Sequence, residues 1–376
     1  MPSVADCIRQ HAPAYLQTFG DRIPTGHLKV LQAITRCRTG FLGSVWFGCQ
    51  QCGKTHWVGR SCGNRHCTTC QVDKTQKWLA KQTKRLMPVH HFLVTFTVPS
   101  AVREVLRGHQ RIGYGALFQA SRETISALLS NPKYLGCSNA GFFGVLHTWA
   151  RDPMVYHPHV HYIVPGGGVS DDRTEWLSTP ENFLFPHAAA IRIYKAKFAD
   201  CMRQEKLYDS IPAEAWKQKW VVDIKPVGDG QAALKYLAPY VYRVAISDHR
   251  IVSCDQKMVT FRYTPTGSKK PQTRSVEGTE FVRGFLQHTL PRGFQKVRYS
   301  GWMSSNSKIG FDLVKWLVWL FLGWRYWLGS GHATKEKAPP CIVRCAHCGG
   351  PLSVIAISHV PWKPLPDHSL NYLDSG

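Results

Sequence analysis

Three histidines alternate with other residues in the segment "VYHPHVHYIVPGGG", residues 155–168. Alternation among apolar and β-branched neighbours predicts a strand, in which side chains two positions apart share one face. His157, His159 and His161 would therefore point to the same side of a sheet, about 7 Å from one to the next. A single histidine on such a face is usually a core residue, whereas three together favour binding of a metal ion or a phosphate.

The pair His159 and His161 flanks Val160. In a strand this arrangement directs two imidazoles toward one ion, while the valine between them points into the core behind the strand. The glycines that follow, residues 166–168, lack the GK[ST] continuation of a phosphate-binding loop and indicate a turn that leaves the strand.

A second set of metal-binding side chains lies in "FGCQQCGKTHWVGRSCGNRHCTTCQ", residues 47–71. It contains two CxxC pairs, each of which turns two thiolates toward one ion. Two such pairs predict a closed tetrahedral zinc site of structural type with the ligands Cys49, Cys52, Cys67 and Cys70. Cys62, His66 and His56 lie between the pairs and are candidates to replace one ligand or to serve a second ion.

A third CxxC occurs in "CIVRCAHCGG", residues 341–350. Cys345 and Cys348 have the spacing of a zinc half-site, and Cys341, His347 and His359 are the candidates to complete it. The chain has 13 cysteines in all. Because they cluster in CxxC patterns and no secretory signal opens the chain, metal binding in a reducing compartment is favoured over disulfides.

The remaining sequence predicts the elements that position these groups. Helical patterns dominate residues 1–45 and recur in the basic stretch "DKTQKWLAKQTKRLM". The alternating stretch "HFLVTFTVPS" then introduces strands that are interleaved with helices, which predicts an α+β fold with an antiparallel sheet. We expect three consecutive parts: a zinc-binding, DNA-binding domain over 1–87, a catalytic domain over 88–300 and a C-terminal region over 301–376.

The charge balance indicates the class of partner. Lys and Arg number 47 against 24 Asp and Glu, a formal net charge of +23, which favours a polyanion such as nucleic acid or an anionic membrane. The Trp-rich segment "FDLVKWLVWLFLGWRYWLG", residues 311–329, is interrupted by Lys315 and Arg325. The uncharged run is thus too short to span a bilayer comfortably, and a buried or partner-facing helix is favoured, with an interfacial helix as the alternative.

The motifs together resemble those of a known family. The His-hydrophobic-His motif is typical of the HUH endonucleases. The stretch "HPHVHYIVPGGG", preceded by "SCGNRHCTTCQ" and followed by "ALKYLAPYVYRVAIS" and "LPRGFQKVRYSG", looks like the rolling-circle insertion-sequence transposases with an N-terminal zinc-binding domain. The resemblance extends over about residues 10–310. It implies an antiparallel-sheet HUH endonuclease domain with helices, preceded by a helical zinc-binding domain and followed by a small C-terminal region with a zinc knuckle.

The resemblance also implies the chemistry. A divalent ion, Mg or Mn, held by His159 and His161 polarises the scissile phosphate of single-stranded DNA, and a tyrosine attacks to form a 5′-phosphotyrosine. The implied nucleophiles are Tyr236 and Tyr240, whose spacing places both on one helical face. However, Pro239 predicts a kink or an end of that helix. If the helix stops at Ala238, Tyr240 and Tyr242 point elsewhere and Tyr236 alone would react. His157 and His147 are the candidates for a third metal ligand.

We therefore predict a transposase that nicks and joins single-stranded DNA at element ends in rolling-circle DNA transposition. Its partners are DNA ends and target DNA; no small-molecule cofactor or membrane is expected, and the oligomeric state is left open. The predicted location is the bacterial cytoplasm, on the nucleoid when DNA is bound. Two alternatives remain: a non-catalytic zinc-ribbon DNA-binding protein, and a metal-dependent nuclease that uses activated water. Neither alternative would leave DNA covalently attached to the protein.

Overall fold

The computed structural model describes most of the chain, and its secondary structure is mixed. The described residues are 2–242, 245–265, 267–268, 270–325 and 343–361, without the side chains of Val72 and Asp73. Their helices are α1 (Val4–Phe19), α2 (Thr25–Arg36), α3 (Val72–Thr83), α4 (Ser100–Gly108), α5 (Gln110–Leu129), α6 (His187–Gln204), α7 (Ala213–Lys217), α8 (Gln231–Tyr242), α9 (Gly278–Leu286) and α10 (Phe311–Leu322). Their strands are β1 (Ser44–Cys49), β2 (Thr55–Gly59), β3 (His91–Thr97), β4 (Phe142–Trp149), β5 (Tyr156–Pro165), β6 (Gly167–Val169), β7 (Trp176–Ser178), β8 (Val221–Pro226), β9 (Ile251–Cys254), β10 (Met258–Tyr263), β11 (Gln272–Glu277), β12 (Val297–Ser300) and β13 (Leu352–Ser358).

The chain divides into two compact units, and neither is continuous in sequence. The first unit comprises Met1–Val72, Ile246–Thr289 and His332–Gly376, and the second comprises Asp73–Ala245 and Leu290–Gly331. The boundaries of the units therefore differ from the three consecutive parts expected from the sequence. The physical reason lies in long-range packing, because α9 packs against α1 and β13 pairs with β1.

The second unit is built on a five-stranded sheet in the order β12-β4-β5-β3-β8. Each neighbouring pair is antiparallel, so the predicted α+β class with an antiparallel sheet is confirmed. The predicted histidine strand is β5, at the centre of the sheet. A central strand is flanked by strands on both edges, and its side chains are therefore held in a fixed register.

The two faces of this sheet pack against different helices. The even positions of β5, such as Val160 and Tyr162, join the buried cluster that contains the apolar side chains of α5 and α6. The odd position Ile163 joins a second buried cluster, which includes Leu237 of α8 and Val314 of α10. The alternation read from the sequence thus places the odd-numbered histidines on the face that carries α8.

The first unit combines helices with two small sheets. Its sheets have the orders β13-β1-β2 and β11-β10-β9, with antiparallel pairing throughout. Helix α1 begins with a capping box between Ser3 and Asp6, which satisfies backbone N–H groups that the first turn leaves unpaired. The expectation of a helical zinc-binding domain holds only in part, since β1 and β2 form a hairpin within it.

Residues 311–322 of the Trp-rich segment form helix α10, as the buried or partner-facing alternative predicted. Val314, Leu317 and Val318 are buried, whereas Trp316 on the other side is 54% exposed. Within the described part of the chain, which ends this segment at residue 325, no helix is both long enough and apolar enough to cross a bilayer.

Candidate functional site

The sheet register brings a histidine from β4 to the predicted histidine pair. His159 lies directly opposite His147 of β4, and His161 lies opposite Val145 of the same strand. Residues paired across antiparallel strands share a face. As a result the ligand atoms of His147, His159 and His161 all lie within 4.8 Å of one another. We call these three residues the histidine cluster.

Of the two candidates for a third ligand, the structure brings His147 into the cluster. The ring of His157 lies 5.1 Å from the ring of His159, but His157 does not belong to the three groups with converging ligand atoms. Its backbone carbonyl has a different role, because it accepts a hydrogen bond from Nδ1 of His159 at 2.7 Å. His157 therefore orients a neighbouring imidazole and does not join the cluster.

Hydrogen bonds fix the orientation of the imidazoles. A carbonyl can only accept, so Nδ1 of His159 carries the proton and Nε2 keeps its lone pair. Nδ1 of His161 lies 2.8 Å from the hydroxyl oxygen of Thr95 on β3. Nε2 of His147 is buried and has no hydrogen-bond partner in the described structure. The hydrogen bonds of His159 and His161 to groups outside the cluster are typical of histidines that bind metals.

Burial keeps all three imidazoles neutral near pH 7. It lowers the pKa of His159 to about 4, although the hydrogen bond to the backbone of His157 acts in the opposite direction. Burial is also the main cause that holds the pKa values of His147 and His161 well below the usual range, and the neighbouring imidazoles add to it. Neutral imidazoles are the form that binds a cation.

Helix α8 places both predicted tyrosines beside the histidine cluster. The ring centroid of Tyr240 is 4.9 Å from that of His147, and the ring of Tyr236 is 6.3 Å from that of His161. The two tyrosine rings are 5.5 Å apart. Tyr236 is 52% exposed, so its hydroxyl-bearing ring is open to a large ligand.

The helix does not end at Pro239, so of the two alternatives left open by the sequence, the one in which Tyr240 is diverted does not apply. Helix α8 runs on to Tyr242 with the proline inside it. Proline removes one backbone N–H, but burial of Leu237, Ala238 and Val241 holds the last turn against the core. Tyr242 packs against that core, whereas Tyr236 and Tyr240 face the histidines.

A tryptophan and a lysine that the sequence analysis missed complete this face. The ring of Trp149 stacks on His147 at 5.1 Å with an interplanar angle of 8°, and it lies 5.7 Å from the ring of Tyr240. Nζ of Lys296 lies 4.8 Å from the centroid of Trp149. Lys296 is only 6% exposed, and its charge is among the causes that lower the pKa of His147. Trp149 and Lys296 lie far apart in the chain and form no sequence motif, so the sequence did not indicate them.

Four cysteines of the first unit form one sulfur cluster: Cys37, Cys62, Cys67 and Cys70. The sulfur of Cys37 lies 3.2 Å from that of Cys70 and 3.7 Å from that of Cys67, and the sulfurs of Cys62 and Cys70 are 3.7 Å apart. Four sulfurs around one zinc at 2.3 Å would be about 3.8 Å apart. Hydrogen bonds from Cys37, Cys62 and Cys67 hold the pKa of Cys70 far below its usual value, which favours a thiolate. We call this set the inner cysteine cluster.

A second sulfur cluster joins distant parts of the sequence: Cys49, Cys52, Cys345 and Cys348. Cys49 ends β1, and Cys345 and Cys348 precede β13, the strand that pairs with β1. The sulfurs of Cys49 and Cys348 are 3.4 Å apart, and those of Cys52 and Cys345 are 3.7 Å apart. The backbone N–H of Cys52 is the main cause that lowers the pKa of Cys49 to about 6. We call this set the ribbon cysteine cluster.

The structure corrects the predicted set of four zinc ligands. Cys49 and Cys52 lie in the ribbon cluster, whereas Cys67 and Cys70 lie in the inner cluster with Cys62. The sequence could not show this, because the choice depends on the pairing of β1 with β13, about 300 residues away. Cys37 was missed altogether, since a single cysteine after a helix has no spacing pattern.

The histidines proposed as extra ligands lie outside both clusters. His66 faces Asn64, with Nδ1 of the ring 3.2 Å from the amide oxygen. Nε2 of His56 lies 3.1 Å from the sulfur of Cys345, next to the ribbon cluster but not within it. His347 is in neither cluster, and His359 contacts Arg60. Cys341 lies outside the described residues.

Comparison with known proteins adds an independent line of evidence. A family described as "Putative transposase" matches residues 141–309, the range that holds the histidine cluster and both tyrosines. A family described as "Transposase zinc-binding domain" matches residues 7–98, which include the inner cluster and half of the ribbon cluster. The protein "Putative transposase y4qJ" of Sinorhizobium fredii (strain NBRC 101917 / NGR234) is 33% identical over 325 residues, 81% of this chain and 81% of that protein. No solved structure matches the chain.

Proposed function

Because the chain belongs to a family of insertion-sequence transposases, we propose that it nicks and joins single-stranded DNA at element ends through a 5′-phosphotyrosine, in rolling-circle transposition of the HUH type. One observation carries this proposal. Two tyrosines on one face of α8 stand beside three converging histidines on the central strands of an antiparallel sheet. A nucleophile and a cation site are thus adjacent, as phosphoryl transfer requires.

The histidine cluster fits a divalent cation. Its three nitrogens converge, its imidazoles are neutral, and the buried Nε2 of His147 has no other partner within the described structure. Mg²⁺ or Mn²⁺ is the ion that the family resemblance implies, and three nitrogen ligands suit Mn²⁺ better than Mg²⁺, which prefers oxygen. When bound, the ion would withdraw charge from a non-bridging oxygen of the scissile phosphate.

The protein's own side chains perform the bond exchange. The phenolic oxygen of Tyr240 or Tyr236 loses its proton and attacks phosphorus. The bond from phosphorus to the 3′ oxygen breaks, and that oxygen takes up a proton to leave a free 3′ hydroxyl. The product is a tyrosine ester of the 5′ phosphate, and attack by a 3′ hydroxyl on this ester reverses the reaction and joins strands. With their rings 5.5 Å apart, one tyrosine can hold a strand while the other attacks the next.

Trp149 and Lys296 support this reaction without taking part in bond exchange. Trp149 contacts both His147 and Tyr240, and it therefore fixes the nucleophile relative to the cation site. Lys296 places positive charge near the histidines, since its ammonium lies 4.8 Å from the centroid of Trp149, which stacks on His147. A cationic environment stabilises a phosphate on which negative charge develops.

The two cysteine clusters have a different task. The family match and the four-sulfur geometry indicate structural zinc, and we assign one zinc ion to each cluster. Four thiolates leave no open position on a tetrahedral ion, so these sites contribute folding energy and not catalysis. The ribbon cluster would fasten residues 345–348 to the β1–β2 turn.

The proposal is tested with single-stranded oligonucleotides that carry the sequence of the element ends. The protein is incubated with labelled DNA and Mn²⁺, and a denaturing gel separates free DNA from protein-linked DNA. We expect the fragment on the 3′ side of the cut to be linked to the protein through its 5′ phosphate, and the other fragment to end in a free 3′ hydroxyl. Cleavage without a linked product would instead support the nuclease with activated water, and binding without cleavage would support a non-catalytic DNA-binding protein.

A further inference from the structure

The three-stranded sheet of the first unit has one packed face. Ile251 of β9 and Val259 and Phe261 of β10 are buried. The ring of Phe261 lies 6.3 Å from that of Phe281 on α9. This face is therefore part of the core of the unit, and the position of the sheet is fixed by it.

The opposite face of the same sheet is polar. Ser253, Thr260 and Ser275 lie side by side across the three strands, since Thr260 pairs with the other two. The hydroxyls of Thr260 and Ser275 are 2.8 Å apart. In the next row of the β10–β11 pair, Arg262 pairs with Thr273, and both are exposed. We call these five residues the outer face of the sheet.

The surrounding sequence is mainly basic. Residues 257–277 contain five basic side chains, Lys257, Arg262, Lys269, Lys270 and Arg274, against one acidic residue. The acidic residue, Glu277, pairs with Met258 at the end of the β10–β11 ribbon away from Arg262. Arg262, Pro271, Gln272 and Thr273 line an open depression at this end of the sheet. A ligand that fits both the hydroxyl rows and this charge is a polyanion with hydrogen-bonding groups.

The outer face has no aromatic ring, and this favours duplex over single-stranded DNA. Tyr263 pairs with Gln272, one position beyond the pair Arg262 and Thr273, and so points to the other side of the sheet. Proteins that hold single strands stack the unpaired bases on aromatic side chains. A two-stranded β-ribbon, in contrast, fits the major groove, where arginine and hydroxyl side chains read base edges.

We infer that the outer face of the β9–β10–β11 sheet is a binding surface for duplex DNA, with the β10–β11 ribbon in the major groove. Arg262 contacts base edges, and Lys270 contacts phosphate. Further hydrogen bonds come from the hydroxyls of Thr260, Thr273 and Ser275. The chemistry of strand cleavage does not require this surface. It would let the protein recognise double-stranded DNA next to an end that the tyrosines cut as a single strand.

The test uses the full chain and two fluorescent probes: a duplex with the terminal sequence of the element, and one of its strands alone. The double variant Arg262→Gln/Thr273→Val should bind the duplex at least about 10-fold more weakly, because it removes one arginine contact and one hydroxyl contact to bases. Its affinity for the single strand should change less than about 2-fold. The matched control Arg192→Gln, which removes an exposed arginine charge from α6, should bind both probes as the natural chain does.

Two results would overturn the inference. One is an unchanged duplex affinity in the double variant, and the other is an equal loss for both probes, which would make the surface a general electrostatic one. A melting curve identical to that of the natural chain shows that the variant is folded, as expected for exposed side chains. A second variant, Arg262→Lys, keeps the charge but loses bidentate contact. It should retain binding to a scrambled duplex and lose about 10-fold in preference for the terminal sequence.

Discussion

The cysteine clusters and the histidine cluster are both groups of converging metal ligands, but they are built differently. Each cysteine cluster offers four sulfurs, which complete a tetrahedron. The histidine cluster offers three nitrogens on a rigid central sheet, with two tyrosine rings beside it. A complete ligand set holds an ion for structure, whereas an incomplete set leaves a position for a substrate oxygen.

The elements that carry the ligands differ in the same sense. The ribbon cluster joins two turns at the edge of a small three-stranded sheet, and Cys52 and Cys348 are exposed. The histidines lie on strands whose register is fixed by neighbours on both sides and by packed helices on both faces. We therefore expect the first unit to depend on metal for its fold and the second unit to fold without it.

The largest expected effect concerns the cysteine clusters. Natural protein should contain two zinc ions per chain, and strong chelation should unfold the first unit, because metal-binding energy in such sites, on the order of 10 kcal/mol, is folding energy. Cys67→Ser and Cys348→Ser should each remove a different ion, and the double variant should remove both. Mass spectrometry measures the zinc content of each variant, and melting curves measure its stability.

Cys201→Ser, which changes a buried thiol of α6 outside both clusters, is the matched control and should keep both zinc ions. If Cys348→Ser kept two zinc ions while Cys67→Ser lost one, the ribbon cluster would not bind metal. The inner cysteine cluster would then be the structural zinc site to set beside the proposed catalytic site.

The next effect concerns the histidine cluster. His159→Ala and His161→Ala should each lower strand cleavage at least about 1,000-fold, since stabilisation of the phosphate by a cation contributes several kcal/mol. Binding to DNA draws on many basic residues and should change less than about 3-fold. Gel assays of cleavage and anisotropy measurements of binding separate the two properties.

His157→Ala is the matched control for this pair. It removes an imidazole from the same strand face, but it leaves in place the backbone carbonyl that orients His159. We expect it to cleave at least about 100 times faster than His159→Ala, because it keeps the cation site that contributes several kcal/mol to cleavage. Equal losses in all three variants would argue that the strand face as a whole, and not the cluster, is required.

The smallest expected effect concerns the position of Tyr240. Trp149→Ala removes the ring that contacts His147 and Tyr240. It should lower the rate of adduct formation about 10-fold, because a less well positioned nucleophile attacks more slowly. Trp149→Phe keeps an aromatic surface and should recover most of the rate. A rate that depends on size alone, with Trp149→Leu as active as Trp149→Phe, would show that the ring only fills space.

Local patterns predicted the parts of the site that lie close together in sequence. The alternation in β5 gave the face of His159 and His161, and the spacing of four gave the common face of Tyr236 and Tyr240 on α8. These features depend on the periodicity of a single element. The same local reasoning gave the CxxC half-sites, each of which is indeed one half of a cluster.

Features that depend on long-range pairing could not be predicted in this way. The register of β4 on β5 decides that His147 and not His157 joins the cluster, and the pairing of β13 with β1 decides which CxxC pairs meet. Helix α8 continues through Pro239 because tertiary packing outweighs the lost hydrogen bond. In each case the outcome was set by residues far from the motif.

The most direct test of the central claim is to identify the residue that becomes linked to DNA. Natural protein and the variants Tyr236→Phe, Tyr240→Phe and the double variant are incubated with the single-stranded element end and Mn²⁺, and the linked peptide is sequenced by mass spectrometry. We predict DNA on the peptide that contains Tyr236 and Tyr240, a reduced adduct in each single variant and none in the double variant. An adduct of undiminished yield in the double variant, or one on Tyr242, would contradict the assignment of these two tyrosines.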